Sequence, residues 1–112
     1  MTPEQAISRF FATMNAHDGD GAVALVDPDV EVAFGAQVFA GREAVRELAV
    51  QVHPELVFET LPVSFDAHAD GVDVAVRRVQ HWRQTGEVAA EEELQARFSF
   101  GPDGLIRRVE LT

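Results

Sequence analysis

The sequence of 112 residues contains no cysteine, no lysine and no tyrosine. Without cysteine, disulfides, a thiol nucleophile and thiolate metal ligands are excluded. Without lysine a Schiff base is excluded, and without tyrosine there is no phenolic proton donor. Asparagine occurs once, as Asn15, and all nine basic residues are arginine, a bias typical of GC-rich bacterial genomes. The remaining chemistry belongs to aspartate, glutamate, histidine, arginine, serine, glutamine and one tryptophan.

Positive charge is also scarce. Nineteen acidic residues against nine basic residues give a net charge of −10 at pH 7. Such a chain repels phosphate groups, so we expect no nucleic-acid partner and no binding to membranes. No stretch approaches the ~20 apolar residues of a membrane span, and the N-terminus does not resemble a signal peptide. We therefore expect a cytoplasmic protein, and the length indicates one domain over residues 1–112.

Helical periodicity dominates the first half of the chain. Ile7, Phe10, Phe11 and Met14 recur at the spacing of one helix face. Pro54 requires the third helix to end before it. The predicted elements are helices over residues 3–17, 20–26 and 41–52 and short strands over residues 30–34 and 37–40.

From Glu55 onward the apolar residues alternate with polar ones, which is typical of strands. Turns rich in glycine separate four predicted strands, over residues 55–67, 72–84, 88–100 and 105–112, with a bulge or bend at Pro62. Helices followed by an antiparallel meander indicate the α+β class, with three N-terminal helices packed on one face of an antiparallel sheet.

The hairpin around Gly86 has a predictable register, since a slip of one residue moves every side chain to the other face. A three-residue turn over residues 85–87 keeps one face apolar. The pairs it predicts are Val72 with Phe100, Val74 with Phe98, Val76 with Ala96, Arg78 with Leu94, Gln80 with Glu92 and Trp82 with Ala90. The apolar face then ends in a polar patch.

The stretch NAHDGDGA at residues 15–22 raises the question of a calcium loop. Counted from Asp18, the position that needs glycine for the sharp turn is Val23, and the fifth position is Ala22. We interpret the stretch instead as a joint between two helices, in which Gly19 turns the chain and Asp20 caps the second helix.

Two segments carry a resemblance to a known family. AISRFFATMNAHDGDGAVALV resembles the helix, Asn-x-x-Asp, helix opening of the nuclear-transport-factor-2-like superfamily, also called SnoaL-like or cystatin-like α+β domains. VFAGREAVRE resembles the start of its third helix. The resemblance covers essentially the whole chain. It implies a strongly curved sheet that forms a cone with an apolar pocket, and a homodimer through the outer sheet face.

The family's ketosteroid isomerases use an aspartate base with a tyrosine and a protonated aspartate as oxyanion donors. Aligned on the two segments, these positions fall at Phe34, Phe10 and Ala96, all of them apolar. Loss of one oxyanion donor alone costs about 10²–10³ in rate. The resemblance therefore implies a protein without steroid-isomerase catalysis.

Two other templates of the superfamily remain open. Epoxide-hydrolase-like members activate water with an Asp–Arg–Asp network, to which Arg78 and Glu92, diagonal neighbours in the predicted register, are a partial match. SnoaL-like cyclases and isomerases use histidine and aspartate as acid and base. Among the histidines, His17 ends a helix, His68 lies in a turn and His81 faces outward, so His53 near the cone mouth is the pocket candidate.

These considerations predict catalytic candidates at Glu92, His53 and Arg78. The predicted ligand-binding residues are Phe10, Met14, Phe34, Phe39, Gln80, Trp82, Ala96 and Phe98. We predict no metal site, because the histidines lack ligand spacing, and no cofactor. The leading hypothesis is a protein that binds a small apolar molecule in the cone. The alternatives are a SnoaL-like isomerase, cyclase or epoxide-hydrolase-like enzyme, and a non-catalytic dimerisation module.

Overall fold

The structure is a computed structural model that describes all residues, 1–112. Its helices are α1 (Pro3–Asn15), α2 (Gly19–Val23) and α3 (Arg42–Val50), and its strands are β1 (Val26–Phe34), β2 (Gln37–Ala40), β3 (Leu56–His68), β4 (Gly71–Trp82), β5 (Val88–Phe100) and β6 (Ile106–Leu111). The predicted α+β class is confirmed. No helix combines the length and the apolar character that crossing a membrane would require.

The six strands form one sheet in the order β2-β1-β6-β5-β4-β3. Strands β3 to β6 make the predicted antiparallel meander, and β1 pairs with β2 as the predicted hairpin. The sheet is mixed and not purely antiparallel, because β6 lies parallel to β1. Local patterns predict hairpins between consecutive strands, but they do not indicate how the first and last strands pair.

Helix α1 begins with a capping box, in which Thr2 and Gln5 exchange side-chain and backbone hydrogen bonds. Its apolar stripe packs on the sheet. The rings of Phe10 and Phe11 meet the ring of Phe98 edge to face, with centroids 5.8 and 5.6 Å apart. Phe98 is fully buried at the centre of the core.

The joint between α1 and α2 differs in detail from the prediction. The residue with a left-handed backbone is His17, with φ of 55°, and not Gly19. Asp18 and not Asp20 caps α2, by accepting a hydrogen bond from the Gly21 amide at 2.9 Å. Asp20 lies in the first turn of α2 and forms an ion pair with Arg46 of α3. This ion pair therefore links α2 to α3.

Helix α2 is shorter and β1 longer than predicted. The helix ends at Val23 and not at residue 26, and β1 begins at Val26, four residues before the predicted strand. Val26 pairs with Ile106 of β6, and the register then shifts before Glu31. A proline within a strand is tolerated beside such an irregularity, which explains why Pro28 does not end the strand.

The predicted register of β4 and β5 is wrong by two residues from Val72 to Gln80, where the predicted faces are kept, and by three residues at His81, which pairs with Val88. Val72 pairs with Phe98 and Val76 with Leu94, and Arg78 lies directly opposite Glu92. The connection over residues 83–87 is longer than the three-residue turn, and a shift between Gln80 and His81 adjusts the pairing. An even shift preserves the side-chain faces, since their period is two.

Irregularities bend the long strands around the helices. The register shifts between Pro62 and Ser64 in β3, where the sequence predicted a bulge or bend. Further shifts occur in the β4–β5 and β5–β6 pairs. Bulges increase the local twist of a sheet, so the concave face wraps α1 and α3. At one end of the sheet, β3, β4 and β5 continue past the end of β6. The concave face of this end contains the candidate site.

Candidate functional site

A cavity of about 490 Å³ lies between the C-terminal ends of α1 and α3 and the concave side of β3 and β4. Its apolar lining residues are Met14, Leu48, Val52, Pro54 and Phe58. Its polar lining residues are Asn15, His17, Gln51, His53, Thr60 and Arg78. The lining is therefore mixed, where the resemblance implied an apolar pocket, and convergent polar groups in a cleft are a usual feature of a small-molecule site.

The cavity wall is held together by Asn15, the only asparagine of the chain. Its side-chain amide donates to the Thr60 carbonyl at 2.8 Å and accepts from the Thr60 amide at 2.9 Å. Thr60 lies on β3, an edge strand of the sheet, so these backbone groups have no neighbouring strand. Asn15 therefore takes the place of a paired strand and attaches the end of α1 to the sheet.

His17 joins α1 to α3. Its Nδ1 lies 3.0 Å from the carbonyl oxygen of Ala49, in the last turn of α3. A carbonyl oxygen only accepts, so Nδ1 carries the proton in this contact. The imidazole thereby satisfies one of the carbonyls that a helix leaves free at its C-terminus. Its Nε2 has no hydrogen-bonding partner within the chain and, in the neutral ring, is an acceptor.

His53 has the opposite protonation pattern. Its Nδ1 accepts from the backbone amides of Glu55 and Leu56, both at 3.0 Å. An acceptor nitrogen carries no proton, so the network assigns the ring proton to Nε2, which has no partner within the chain. The ring packs edge to face on Phe58 with centroids 5.9 Å apart. His53, predicted as the pocket histidine, does line the cavity.

Arg78 forms the floor of the cavity. Its guanidinium lies between the rings of Phe34 and Phe58, at 5.9 and 5.5 Å from their centroids. Its Nη2 donates to both carboxylate oxygens of Glu92, at 3.1 and 3.2 Å. Gln80 donates to the same carboxylate at 2.5 Å. The Nε of Arg78 is buried and has no hydrogen-bonding partner.

The structure therefore brings Arg78, Glu92 and Gln80 together, with Arg78 and not Gln80 directly opposite Glu92. Only Arg78 of the three lines the cavity. The carboxylate of Glu92 receives three hydrogen bonds, and its side chain is 36% exposed. In this arrangement Glu92 neutralises and orients Arg78.

The predicted ligand-binding residues separate into three groups. Met14 lines the cavity, and Phe34 and Gln80 contact its floor through Arg78 and Glu92. Phe10, Ala96 and Phe98 are buried in the hydrophobic core and do not line the cavity. Phe39 borders a separate depression beside α3, and Trp82, 45% exposed, borders another at the β4–β5 turn.

Sequence reasoning missed Asn15 and His17 as cavity residues. Both lie in the Asn-x-x-Asp segment, which was interpreted only as a helix joint. The available signal was their position in the sequence. Asn15 and His17 come one and three residues after Met14, which was already assigned to the apolar face of α1. The approach of α3 that places His17 against Ala49 depends on tertiary packing.

Several ion pairs lie on the sheet face opposite the cavity. A hydrogen bond from Arg97, assisted by His68, holds the pKa of Asp73 below its ordinary value. Arg108 bonds to Glu110 at 2.6 Å and to Glu31 at 3.0 Å, and these contacts raise the pKa of Arg108. This outer face is therefore covered by cross-strand ion pairs.

A larger depression of about 690 Å³ lies beside the first turns of α1. Only Met1 and Phe65 among its lining residues are apolar, and the others belong mainly to the exposed side of the helix. It lacks the buried polar groups that converge in the cavity at Arg78. We therefore assign the candidate site to the smaller cavity.

Comparison with known proteins identifies relatives of the whole chain. A family model described as a SnoaL-like domain matches residues 7–109. No curated protein sequence matches this chain.

Solved structures share the fold. A candidate polyketide cyclase from Sinorhizobium meliloti is 18% identical, with a TM-score of 0.80 over 96% of this chain and 94% of that one. A Burkholderia pseudomallei protein of unknown function, described as nuclear-transport-factor-2-like, is 16% identical, with a TM-score of 0.81 over 100% of this chain and 91% of that one. A Mycobacterium tuberculosis protein solved in complex with estradiol-17β-hemisuccinate is 16% identical, with a TM-score of 0.76 over 97% of this chain and 91% of that one. At these identities the similarity concerns the fold.

Proposed function

This chain belongs to the SnoaL-like domain family, and we propose that it binds a small hydrophobic molecule in the cavity between α1, α3 and the β3–β4 hairpin. The observation that carries this proposal is the cavity itself, about 490 Å³, with a wall of apolar and polar side chains and Arg78 at its floor. A fold neighbour crystallised with a steroid hemisuccinate supports a ligand with an apolar body of this kind.

The charge of the site supports a neutral ligand. Arg78 is paired with Glu92, so the floor carries no net charge, and the chain has a net charge of −10. An anionic ligand would be repelled over the Debye length of about 8 Å at physiological salt. Apolar burial then supplies most of the affinity, at about 25 cal/mol per Å² of surface removed from water.

The proposal includes the absence of steroid-isomerase catalysis. Phe10 and Ala96, which occupy two of the aligned catalytic positions, are buried in the core. Phe34, at the third position, contacts Arg78 by its ring. None of these side chains can transfer a proton, and this supports a binding role over isomerisation by that mechanism.

The test is ligand binding with a blocked cavity. Naphthalene and estradiol are titrated calorimetrically against the wild type, Val52→Trp and Val38→Trp. Val52 and Val38 are 55% and 54% exposed, but only Val52 lines the cavity. We expect binding to the wild type and to Val38→Trp, and loss of binding in Val52→Trp because the indole occupies the cavity. Equal binding to both variants, or no binding to any, contradicts the proposal.

An enzymatic role is the second candidate, favoured by the two cavity histidines with free Nε2 atoms. A positioned acid or base contributes about 10²–10⁴ in rate. The assay follows hydration of an epoxide such as cyclohexene oxide and deuterium exchange beside the carbonyl of a cyclic ketone, by NMR. Catalysis through His53 predicts loss of activity in His53→Asn. Catalysis through Glu92 predicts the loss in Glu92→Gln. Rates equal to those of buffer exclude both reactions.

We also propose a homodimer through the outer sheet face. The ion pairs of this face, such as Arg97–Asp73 and Arg108–Glu31, are satisfied within one chain, and two chains of net charge −10 repel each other, so the association should strengthen with salt. Sedimentation velocity at micromolar concentration and at low and high salt tests this. A monomer at high salt contradicts the dimer. A dimer without any cavity ligand favours the dimerisation module.

A further inference from the structure

The two cavity histidines have complementary free atoms. The contact of His17 with the Ala49 carbonyl leaves its Nε2 as an acceptor. The contacts of His53 with the amides of Glu55 and Leu56 leave its Nε2–H as a donor. Both residues line the same cavity, and neither Nε2 is satisfied by the chain. Backbone groups hold both patterns in place, so they exist before a ligand binds.

Both histidines are exposed in the free protein, so water reaches these two nitrogens until a ligand covers them. A polar group that is desolvated without a partner costs more than its hydrogen bond is worth. A hydrocarbon satisfies neither nitrogen, and a ketone or an ether can accept from His53 but cannot donate to His17. A hydroxyl group both donates and accepts. Hydroxyl groups on a ligand can therefore satisfy both histidines.

Arg78 does not provide an alternative partner for a ligand donor. A guanidinium has only donors, and the carboxylate that could accept, that of Glu92, already receives hydrogen bonds from Arg78 and Gln80. The amide of Asn15 is occupied by Thr60. The side chains of Gln51 and Thr60 also line the cavity and make no hydrogen bond within the chain, but His17 is the acceptor that a backbone contact holds in one orientation.

We propose that the ligand is a neutral hydroxylated molecule whose hydroxyl groups donate to His17 Nε2 and accept from His53 Nε2–H. This rests on the proposed binding function and specifies its ligand chemistry. A polycyclic alcohol or a phenol meets these requirements. The apolar body of the ligand contacts Met14, Leu48 and Phe58.

Three probes that share the naphthalene ring system test the proposal. They are 2-naphthol, 2-methoxynaphthalene and naphthalene, titrated calorimetrically at pH 8 against the full chain. We expect the affinity to fall in that order, by about threefold to tenfold for each hydrogen bond lost. Naphthol makes both contacts, the ether only accepts from His53, and naphthalene makes neither.

Asparagine variants remove one nitrogen at a time. In His17→Asn the amide nitrogen replaces Nδ1 toward Ala49, and asparagine tolerates the positive φ of 55°. In His53→Asn the amide oxygen replaces Nδ1 toward the backbone amides. We expect His17→Asn to weaken naphthol alone by about threefold to tenfold, and His53→Asn to weaken naphthol and the ether. His81→Asn, outside the cavity, is the control and should change nothing.

The outcomes separate this proposal from the binding function. Equal affinity of the wild type for the three probes retains a binding cavity and overturns the hydroxyl site. A loss of naphthalene affinity in His17→Asn, equal to that of naphthol, also overturns it, because the histidine would then act on cavity shape. Binding of none of the probes contradicts the binding function and the hydroxyl site together.

Discussion

The two hydrogen bonds between Asn15 and β3 allow a quantitative prediction about the stability of the protein. Asn15→Ala removes two hydrogen bonds to Thr60, of 2.8 and 2.9 Å. At about 1 kcal/mol each their loss costs about 2 kcal/mol, and the higher helix propensity of alanine returns about 0.5 kcal/mol. We therefore expect the free energy of unfolding to fall by about 1.5 kcal/mol.

Urea denaturation followed by circular dichroism measures this change, and the midpoint of thermal unfolding should fall by about 6 °C. Gln51→Ala is the matched control, because Gln51 is exposed, borders the same cavity and makes no side-chain hydrogen bond. We expect it to stay within about 0.5 kcal/mol of the wild type. A change below about 0.5 kcal/mol in Asn15→Ala would refute the reasoning.

Asn15→Asp adds a signature in pH. An ionised carboxylate accepts from the Thr60 amide but faces the Thr60 carbonyl without a donor. The folded chain therefore favours the protonated acid, and the folded pKa of this carboxyl is raised above its unfolded value of about 3.9. The variant, compared with the wild type, should lose stability as the pH rises from 4 to 7. A difference that does not depend on pH would show that the amide donor has no role.

Three further predictions concern the core and the outer face. Phe98→Ala should cost about 3–5 kcal/mol in urea denaturation, because the ring is fully buried; a cost below 1 kcal/mol would contradict its central position. Gly71→Ala should lower the thermal midpoint, since Gly71 has φ of 147° and a Cβ there would collide with the Phe98 carbonyl; an unchanged midpoint contradicts this. The depressed pKa of Asp73 predicts stability that is present above its ordinary value of 3.8 and lost as pH falls through the lower folded pKa. Asp73→Asn should then be less stable than the wild type at pH 6 and equal to it in strong acid; a constant difference opposes the assignment.

Much of the fold follows from local pattern. The stripe formed by Ile7, Phe10, Phe11 and Met14 identifies α1 because helix geometry places these residues on one side. The alternation after Glu55 identifies the long strands, and the hairpin with the wrong register keeps its predicted faces from Val72 to Gln80. The boundary between helix and strand is predicted wrongly at residues 24–29, where helix and strand propensities compete. The predicted end of α2 at residue 26 belongs to β1.

The errors share a physical cause. The β4–β5 register depends on a long connection and a local shift, which alternation by itself cannot detect. The parallel pairing of β1 with β6 joins segments about 80 residues apart, and no short-range signal indicates it. His17 entered the cavity because α3 offers it a carbonyl oxygen, a partner that does not exist in the isolated segment.

The sequence by itself determined the class of fold, the family resemblance and the chemistry that is excluded, because composition and side-chain periodicity are properties of the chain alone. Only the tertiary structure decided which residues surround the cavity. It placed Phe10, Ala96 and Phe98 in the core, and it brought Asn15 and His17 to the cavity wall. The tertiary structure also decided which ring nitrogen of His17 and of His53 carries the proton. In each imidazole this follows from the backbone atoms that folding brings within 3.0 Å of Nδ1.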